Sequence, residues 1–381
     1  MFKYAKYLLQ IMILIAVSNL VAPVAAQQID LKAKSAILIE AQTGRVLYEK
    51  NADEKRPPAS TTKMMTLIVA LENANLDDVV TTSEKASGTE GSTMWLSPGE
   101  QMKLSDLLYG VMLVSGNDAT IAVAEHISGS VSKFATLMNR KATAIGANST
   151  HFTNPNGLPD DMHYSTAHDL ARIAAYGYKN PMFGTIVETV HKVMPWPSKD
   201  TVRDLYNENK LLWQYEGGNG VKTGYTDAAG RCLVAAAKRD GVQLIAVVLD
   251  SEVMWTDSIN LLDYGFSMVS PFTVIKQGDI LKTVHVRDGI TDRVPLASAD
   301  DIVVGTLAEE RDKITSVVEV DRVVAPIATG QKVGRVKVLY QGKEVASTNL
   351  VATADVEKKS FFGMVWGTMW QALSFMIKNF T

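Results

Sequence analysis

Pro57-Pro58-Ala59-Ser60-Thr61-Thr62-Lys63-Met64-Met65-Thr66 opens an apolar run that continues to Leu71. Thr61 to Leu71 has the apolar spacing of a helix. On such a helix Ser60 and Lys63, three positions apart, share one face. A lysine held there in its neutral form can take the proton of the serine hydroxyl. Burial and a nearby second cation both lower a lysine's pKa toward that task. A plainer reading stands beside this one. A serine after prolines and before a helix is commonly its N-cap, and Ser130-Val131-Ser132-Lys133 repeats the same spacing.

Two more elements lie downstream. Ser115-Gly116-Asn117 ends the apolar run Leu107 to Val114, where small polar residues also serve as simple caps. Ser258-Ile259-Asn260 and Ser347-Thr348-Asn349 share its spacing. Lys222-Thr223-Gly224 occurs once, after the turn residues Gly217-Gly218-Asn219-Gly220. A phosphate-binding loop needs Gly-Lys-Ser/Thr in direct succession, and Val221 breaks it. On a sheet edge Lys222 and Thr223 can bind a carboxylate, and Gly224 lets a substrate backbone approach closely. Order separates the real set from the decoys. Every Ser-x-Asn after Ser130 lies beyond Lys222, so only the set that starts at Ser60 has all three elements in sequence.

The surrounding pattern predicts an α/β, more strictly α+β, domain over residues 27–270. Ser35 to Tyr48 reads as a hairpin about Thr43-Gly44. Leu104 to Val114 and Thr166 to Tyr176 read as helices. Leu233 to Ala237 and Gln243 to Asp250 read as strands about Asp240-Gly241. Strands therefore open and close the region while helices fill its middle. That order predicts a sheet whose edges come from both ends of the domain, packed by helices. Pro271 marks a boundary. Residues 272–355 show short alternating runs and the turn pairs Asp288-Gly289 and Gln341-Gly342, which predict a small all-β domain.

The two ends point to a membrane. Lys3 and Lys6 precede an apolar run from Leu8 to Val21, and Val24-Ala25-Ala26 supplies the small residues of a cleavage site. Residues 1–26 read as a signal peptide, with a retained anchor as the rival. In residues 356–381, Phe361 to Phe380 carries no acidic residue, and Phe362, Trp366, Met369, Trp370, Leu373, Met376, Ile377 and Phe380 recur at helical spacing. An amphipathic helix lying in the membrane interface fits this stripe better than a helix docked on protein or a full span.

Composition excludes other classes. The 381 residues carry a net charge of -3 with both signs mixed along the chain, unlike a nucleic-acid-binding surface. Cys232 is the single cysteine, so no internal disulfide forms. The six histidines show no metal-ligand spacing, His163 and His168 included, and neither a metal nor any other cofactor is expected.

Together these stretches resemble the low-molecular-mass penicillin-binding proteins, serine-type D-alanyl-D-alanine carboxypeptidases. The set SxxK, Ser-x-Asn and KTG is a signature of penicillin-binding proteins and class A β-lactamases. The likeness extends to Pro58 through Thr66, to Asp106-Leu107-Leu108 and Ser115 through Ala119, and to Asn154-Pro155-Asn156-Gly157-Leu158 with Ser165-Thr166-Ala167. Asn207-Glu208-Asn209-Lys210-Leu211-Leu212 also fits. The resemblance implies a penicillin-recognising domain with an antiparallel sheet, a C-terminal β-sandwich and an amphipathic anchor at the outer face of the cytoplasmic membrane. It implies an exported enzyme of cell-wall biogenesis that removes the terminal D-Ala from stem pentapeptides through an acyl-enzyme and is acylated by β-lactams.

In that frame Ser60 is the nucleophile, Lys63 its base, Ser115 a proton relay, and Asn117 the orienting group. Lys222, Thr223, Gly224 and Tyr225 form the substrate side. Two departures stand out. Tyr225 follows Gly224 where several members carry His, and Glu208 stands where a member carries Arg. The resemblance leaves alternatives: a D,D-endopeptidase on cross-links, or a non-catalytic peptidoglycan binder. A class A β-lactamase would need a deacylating glutamate between the second and third elements. None occurs between Glu125 and Glu188, so fast β-lactam hydrolysis is not expected.

Overall fold

The computed structural model describes residues 29–359. The signal-peptide reading and the Phe361–Phe380 anchor reading lie outside the described residues. The described chain from Lys32 onward belongs to one compact unit. Its central sheet has five strands, in the order Arg45–Lys50, Ser35–Glu40, Val242–Leu249, Gly230–Arg239, Gly218–Thr226. Every neighbouring pair is antiparallel. The N-terminal hairpin supplies one edge and Gly218–Thr226 the other, as strands at both ends of the region predicted.

Strand periodicity explains the layers. All six residues of Ser35–Glu40 are buried, so both faces of the sheet are covered. Ile37 and Ile39 join the large core beneath the helices. Leu38 faces the opposite side, where Gly265 of the Met254–Met268 helix packs against Leu38 and Leu244 with no room for a Cβ. The helices Lys63–Asn73, Leu104–Leu113, Asn117–Ser128 and Ala167–Gly177 fill the first side. The Lys63–Asn73 helix is buried from Lys63 through Ala70, as a helix at the centre of a helical layer must be.

Beyond the Met254–Met268 helix the chain is β-rich, with one 3-10 segment at Ala308–Lys313. Ile280–His285, Arg293–Ser298, Lys343–Ala352, Lys332–Tyr340 and Ile314–Val320 form a second antiparallel sheet. Ser270–Ile275 pairs with Ile302–Thr306, and Ile275, Ile302 and Val304 pack on Val336 and Val338 of the larger sheet. Pro271 lies inside a strand, opposite Gly305. The strand that holds it has one partner, so its missing N–H need not interrupt a ladder. Gly218 to Gly220, read as a turn, are likewise the start of a strand, with an irregular register opposite Ala236 and Ala237. No helix among the described residues is long and apolar enough to cross a membrane.

Candidate active site

Ser60 sits in a single 3-10 turn, Ala59–Thr62, that runs directly into the Lys63–Asn73 helix. It is not a cap. The turn and the helix have no side-chain cap, whereas the decoy Ser130 accepts the Lys133 N–H and caps its own helix. Ala59, just before Ser60, has φ +47, a left-handed conformation that costs an alanine energy and is characteristic of functional turns. Gly157 explains what holds it. A Cβ at Gly157 would fall 1.9 Å from the Ala59 carbonyl oxygen, so only glycine lets the Asn154–Leu158 loop close on this turn.

That loop presents a backbone group to Lys63. The buried Lys63 Nζ contacts Ser60 Oγ at 2.9 Å, Asn117 Oδ1 at 2.7 Å and the Asn156 carbonyl at 2.8 Å. The last two are acceptors only. They take two hydrogens of a neutral amine and leave its lone pair toward the serine hydroxyl. Burial pushes the Lys63 ammonium well below its usual range, the Lys222 charge lowers it further, and Glu208 and Asp118 oppose.

Asn117 is fixed by the loop before it. Its N–H donates to the Ser92 carbonyl at 2.7 Å and its Nδ2 to the Glu90 carbonyl at 2.7 Å. The adjacent Asp118 carboxylate accepts from the Thr93 hydroxyl at 2.6 Å and from the Met94 and Leu96 N–H groups. Ser115 links the Leu104–Leu113 and Asn117–Ser128 helices with φ +59. Its Oγ is buried and has no hydrogen-bond partner among the described residues.

The Gly218–Thr226 strand closes the other side. A Cβ on Gly224 would lie 3.0 Å from the Ser60 nitrogen and 3.2 Å from that of Thr61, so the edge strand runs against the nucleophile's turn. Lys222 is buried, and its Nζ donates to Thr223 Oγ1 at 3.2 Å. Thr223 Oγ1 donates in turn to Glu208 Oε2 at 3.2 Å. Burial pushes Lys222 down to about 8, against the pull of Glu208. Tyr225 behaves differently: its side chain is 59% exposed and donates to Asp227, away from the others.

The structure thus brings Ser60, Lys63 and Asn117 into direct contact and lays the edge strand of Lys222, Thr223 and Gly224 beside them. Ser115 and Tyr225 make no side-chain hydrogen bond to that group. Sequence reasoning missed the role of the Asn156 carbonyl, because a backbone acceptor leaves no residue-type signal. It also missed His163. That ring bonds Thr62 Oγ1 through Nε2 at 2.8 Å and accepts the Thr153 N–H through Nδ1 at 3.1 Å. His168 instead pairs with Asp53. Cys232 is buried, and burial pushes its thiol up to about 11.

Comparison with known proteins places the chain in a family. Residues 22–253 match the family model for D-alanyl-D-alanine carboxypeptidase, and residues 270–358 that for the C-terminal domain of penicillin-binding protein 5. D-alanyl-D-alanine carboxypeptidase DacF of Bacillus subtilis is 35% identical, with 89% of each chain covered. DacC of Escherichia coli is 33% identical over 88% of this chain and 86% of its own. Among solved structures, penicillin-binding protein 5 of Haemophilus influenzae superimposes with a TM-score of 0.62 at 32% identity, covering 87% of this chain and 99% of that one. The DD-transpeptidase of Streptomyces K15 gives 0.61 at 35% identity, covering 63% of this chain and all (100%) of the other.

Proposed function

The chain belongs to the D-alanyl-D-alanine carboxypeptidase family of serine peptidases, which acts on peptidoglycan, and from that premise we propose how its residues divide the reaction. The observation that carries the reading is the 2.9 Å approach of Lys63 Nζ to Ser60 Oγ, with two carbonyl oxygens on its other side.

Ser60 Oγ attacks the carbonyl carbon between the two terminal D-alanines of a stem peptide, and its proton passes to Lys63. The oxyanion lies between the N–H groups of Ser60 and Tyr225, each worth about 3 kcal/mol to the transition state. The close fit of Gly224 on the Ser60 nitrogen supports that placement. As the C–N bond breaks, Lys63 gives that proton up to Ser115, whose hydroxyl passes its own on to the departing amine. Its unengaged hydroxyl supports this role. Asn117 orients Lys63 and holds the substrate amide. Lys222 and Thr223 bind the substrate's terminal carboxylate, and the Lys222 charge helps keep Lys63 neutral. Water then adds to the Ser60 ester as Lys63 takes its proton, Lys63 returns that proton to Ser60 Oγ as the C–O bond breaks, and the shortened peptide leaves. A β-lactam follows the same first step and stalls as the ester.

The leader and the amphipathic stripe at Phe361–Phe380 support an exported enzyme resting on the outer face of the cytoplasmic membrane. The test is release of D-alanine from a peptide ending in D-Ala-D-Ala, with and without a penicillin. Penicillin-sensitive release that Ser60→Ala abolishes is the expected result. No release, with Ser60 still labelled by penicillin, would move the reading to an endopeptidase that needs cross-linked wall.

A further inference from the structure

The carboxylate side of the site contains an acid that a carboxylate-binding subsite does not need. Glu208 is an exposed residue whose backbone is tied down there. Its N–H donates to the Leu113 carbonyl at 3.1 Å, two residues before Ser115. Both neighbours are buried: Asn207 Nδ2 donates to the Thr189 carbonyl at 3.0 Å, and Asn209 Oδ1 accepts the Leu211 N–H at 3.2 Å. The backbone is fixed, and the Glu208 carboxylate points at the Thr223 hydroxyl and takes its proton at 3.2 Å. Thr223 has one hydroxyl hydrogen. Given to Glu208, it is not available to an incoming carboxylate. Lys222, behind it, already has an anion nearby to balance its charge.

We propose that Glu208 is a specificity-determining positioning residue: it fills, through Thr223, the role of counter-anion to Lys222 that a free terminal carboxylate would otherwise play. The consequence rests on the hydrolase reading above. A leaving residue with a free carboxylate must displace this bond and sit beside a like charge. A leaving residue whose carboxyl is amidated, or which leaves as a side-chain amine from a cross-link without an adjacent carboxylate, meets no such opposition. Glu208 thereby loosens the hold of Lys222 and Thr223 on a free carboxylate and leaves their hold on a neutral leaving group unopposed.

Two peptides that differ only in a free or amidated terminal carboxyl separate the outcomes. Wild type, Glu208→Gln and Glu208→Asp are compared for kcat/KM on both, with thermal unfolding as the check on folding. Glu208→Gln should raise the free-acid to amide ratio on the order of tenfold, as expected for removing one like charge at a partly solvated site. The gain should lie in KM of the free acid, and Glu208→Asp should restore the wild-type ratio. A ratio unchanged in Glu208→Gln, or a fall of kcat alone on both peptides, overturns the proposal. Ser60 acylation by a penicillin and by its neutral ester is measured alongside. If wild type acylates but releases nothing from either peptide, the carboxypeptidase reading has failed. The acylation ratio then decides Glu208 by the same criterion.

Discussion

Lys63 Nζ donates to Asn117 Oδ1 across 2.7 Å, joining the first residue of the helix that follows the nucleophile's turn to the first residue of the Asn117–Ser128 helix. A side-chain carbonyl at that place is neutral. It holds the amine without stabilising the ammonium as an anion would. Burial and Lys222 can then keep Lys63 deprotonated.

Asn117→Asp puts an anion at the same position and raises the Lys63 pKa. The acid limb of Ser60 acylation by penicillin should move up by about one to three pH units. Acylation at neutral pH should fall accordingly and recover in alkaline buffer. The labelling rate against pH checks this, and an unmoved acid limb would remove Lys63 as the base.

The two serines of the SxxK pattern give a paired test. Ser60→Ala should abolish penicillin labelling and leave stability within about 0.5 kcal/mol, since the hydroxyl caps nothing. Ser130→Ala removes a cap and should cost about 1 kcal/mol in urea unfolding, with labelling intact. Reversed results would show that the pattern was assigned to the wrong serine.

How much of this was legible in the chain follows from where each contact is made. Ser60, Lys63 and Asn117 meet through their own side chains, and Lys222 lies on the edge strand beside them, so residue type and order pointed to this cluster. The sheet was legible because Ala36-Ile37-Leu38-Ile39 and the strands about Asp240-Gly241 are apolar on both faces. The Asn156 carbonyl acts through backbone, which any residue supplies. Glu208 was visible only as an odd residue in a familiar stretch. Its meaning depends on a contact with Thr223, fifteen positions away. Pro271 lies where the second family model begins, inside a strand that has a single neighbour.

Gly157→Ala tests the loop that carries the Asn156 carbonyl. The residue has φ +84, and its Cβ would meet the Ala59 carbonyl at 1.9 Å, far inside contact distance. The loop or the Ser60 turn must move. The expected result is a loss of acylation rate of at least ~100-fold, from misplacement of the nucleophile against its base. The C-terminal β sheet is distant in sequence and should keep its unfolding transition. Acylation at the wild-type rate would mean that the 2.8 Å bond from Lys63 to the Asn156 carbonyl is dispensable.

His163 couples this same loop to pH. Burial pushes its imidazole down to about 4; Asp160 pulls it up, and His151 adds to the lowering. The Nδ1 atom accepts the Thr153 N–H, so the neutral ring with hydrogen on Nε2 satisfies both partners and the imidazolium does not. Above pH 6.5 folded and unfolded chains both hold the ring neutral, and it contributes no pH dependence. As pH falls from 6.5 toward 4, the unfolded chain binds a proton that the folded one refuses, so stability declines through that window. The full loss is about 3 kcal/mol. His163→Gln cannot titrate. At pH 7.5 it should be less stable than wild type by about 1–2 kcal/mol, for the hydrogen bonds it makes poorly. That deficit should shrink as the pH is lowered and reverse between about pH 6 and 5. Urea unfolding of both proteins across the series gives the difference directly, with every other titrating group cancelling. A constant gap would mean that His163 takes up its proton as readily in the folded chain as in the unfolded one. The Thr153 contact would then have to be made another way.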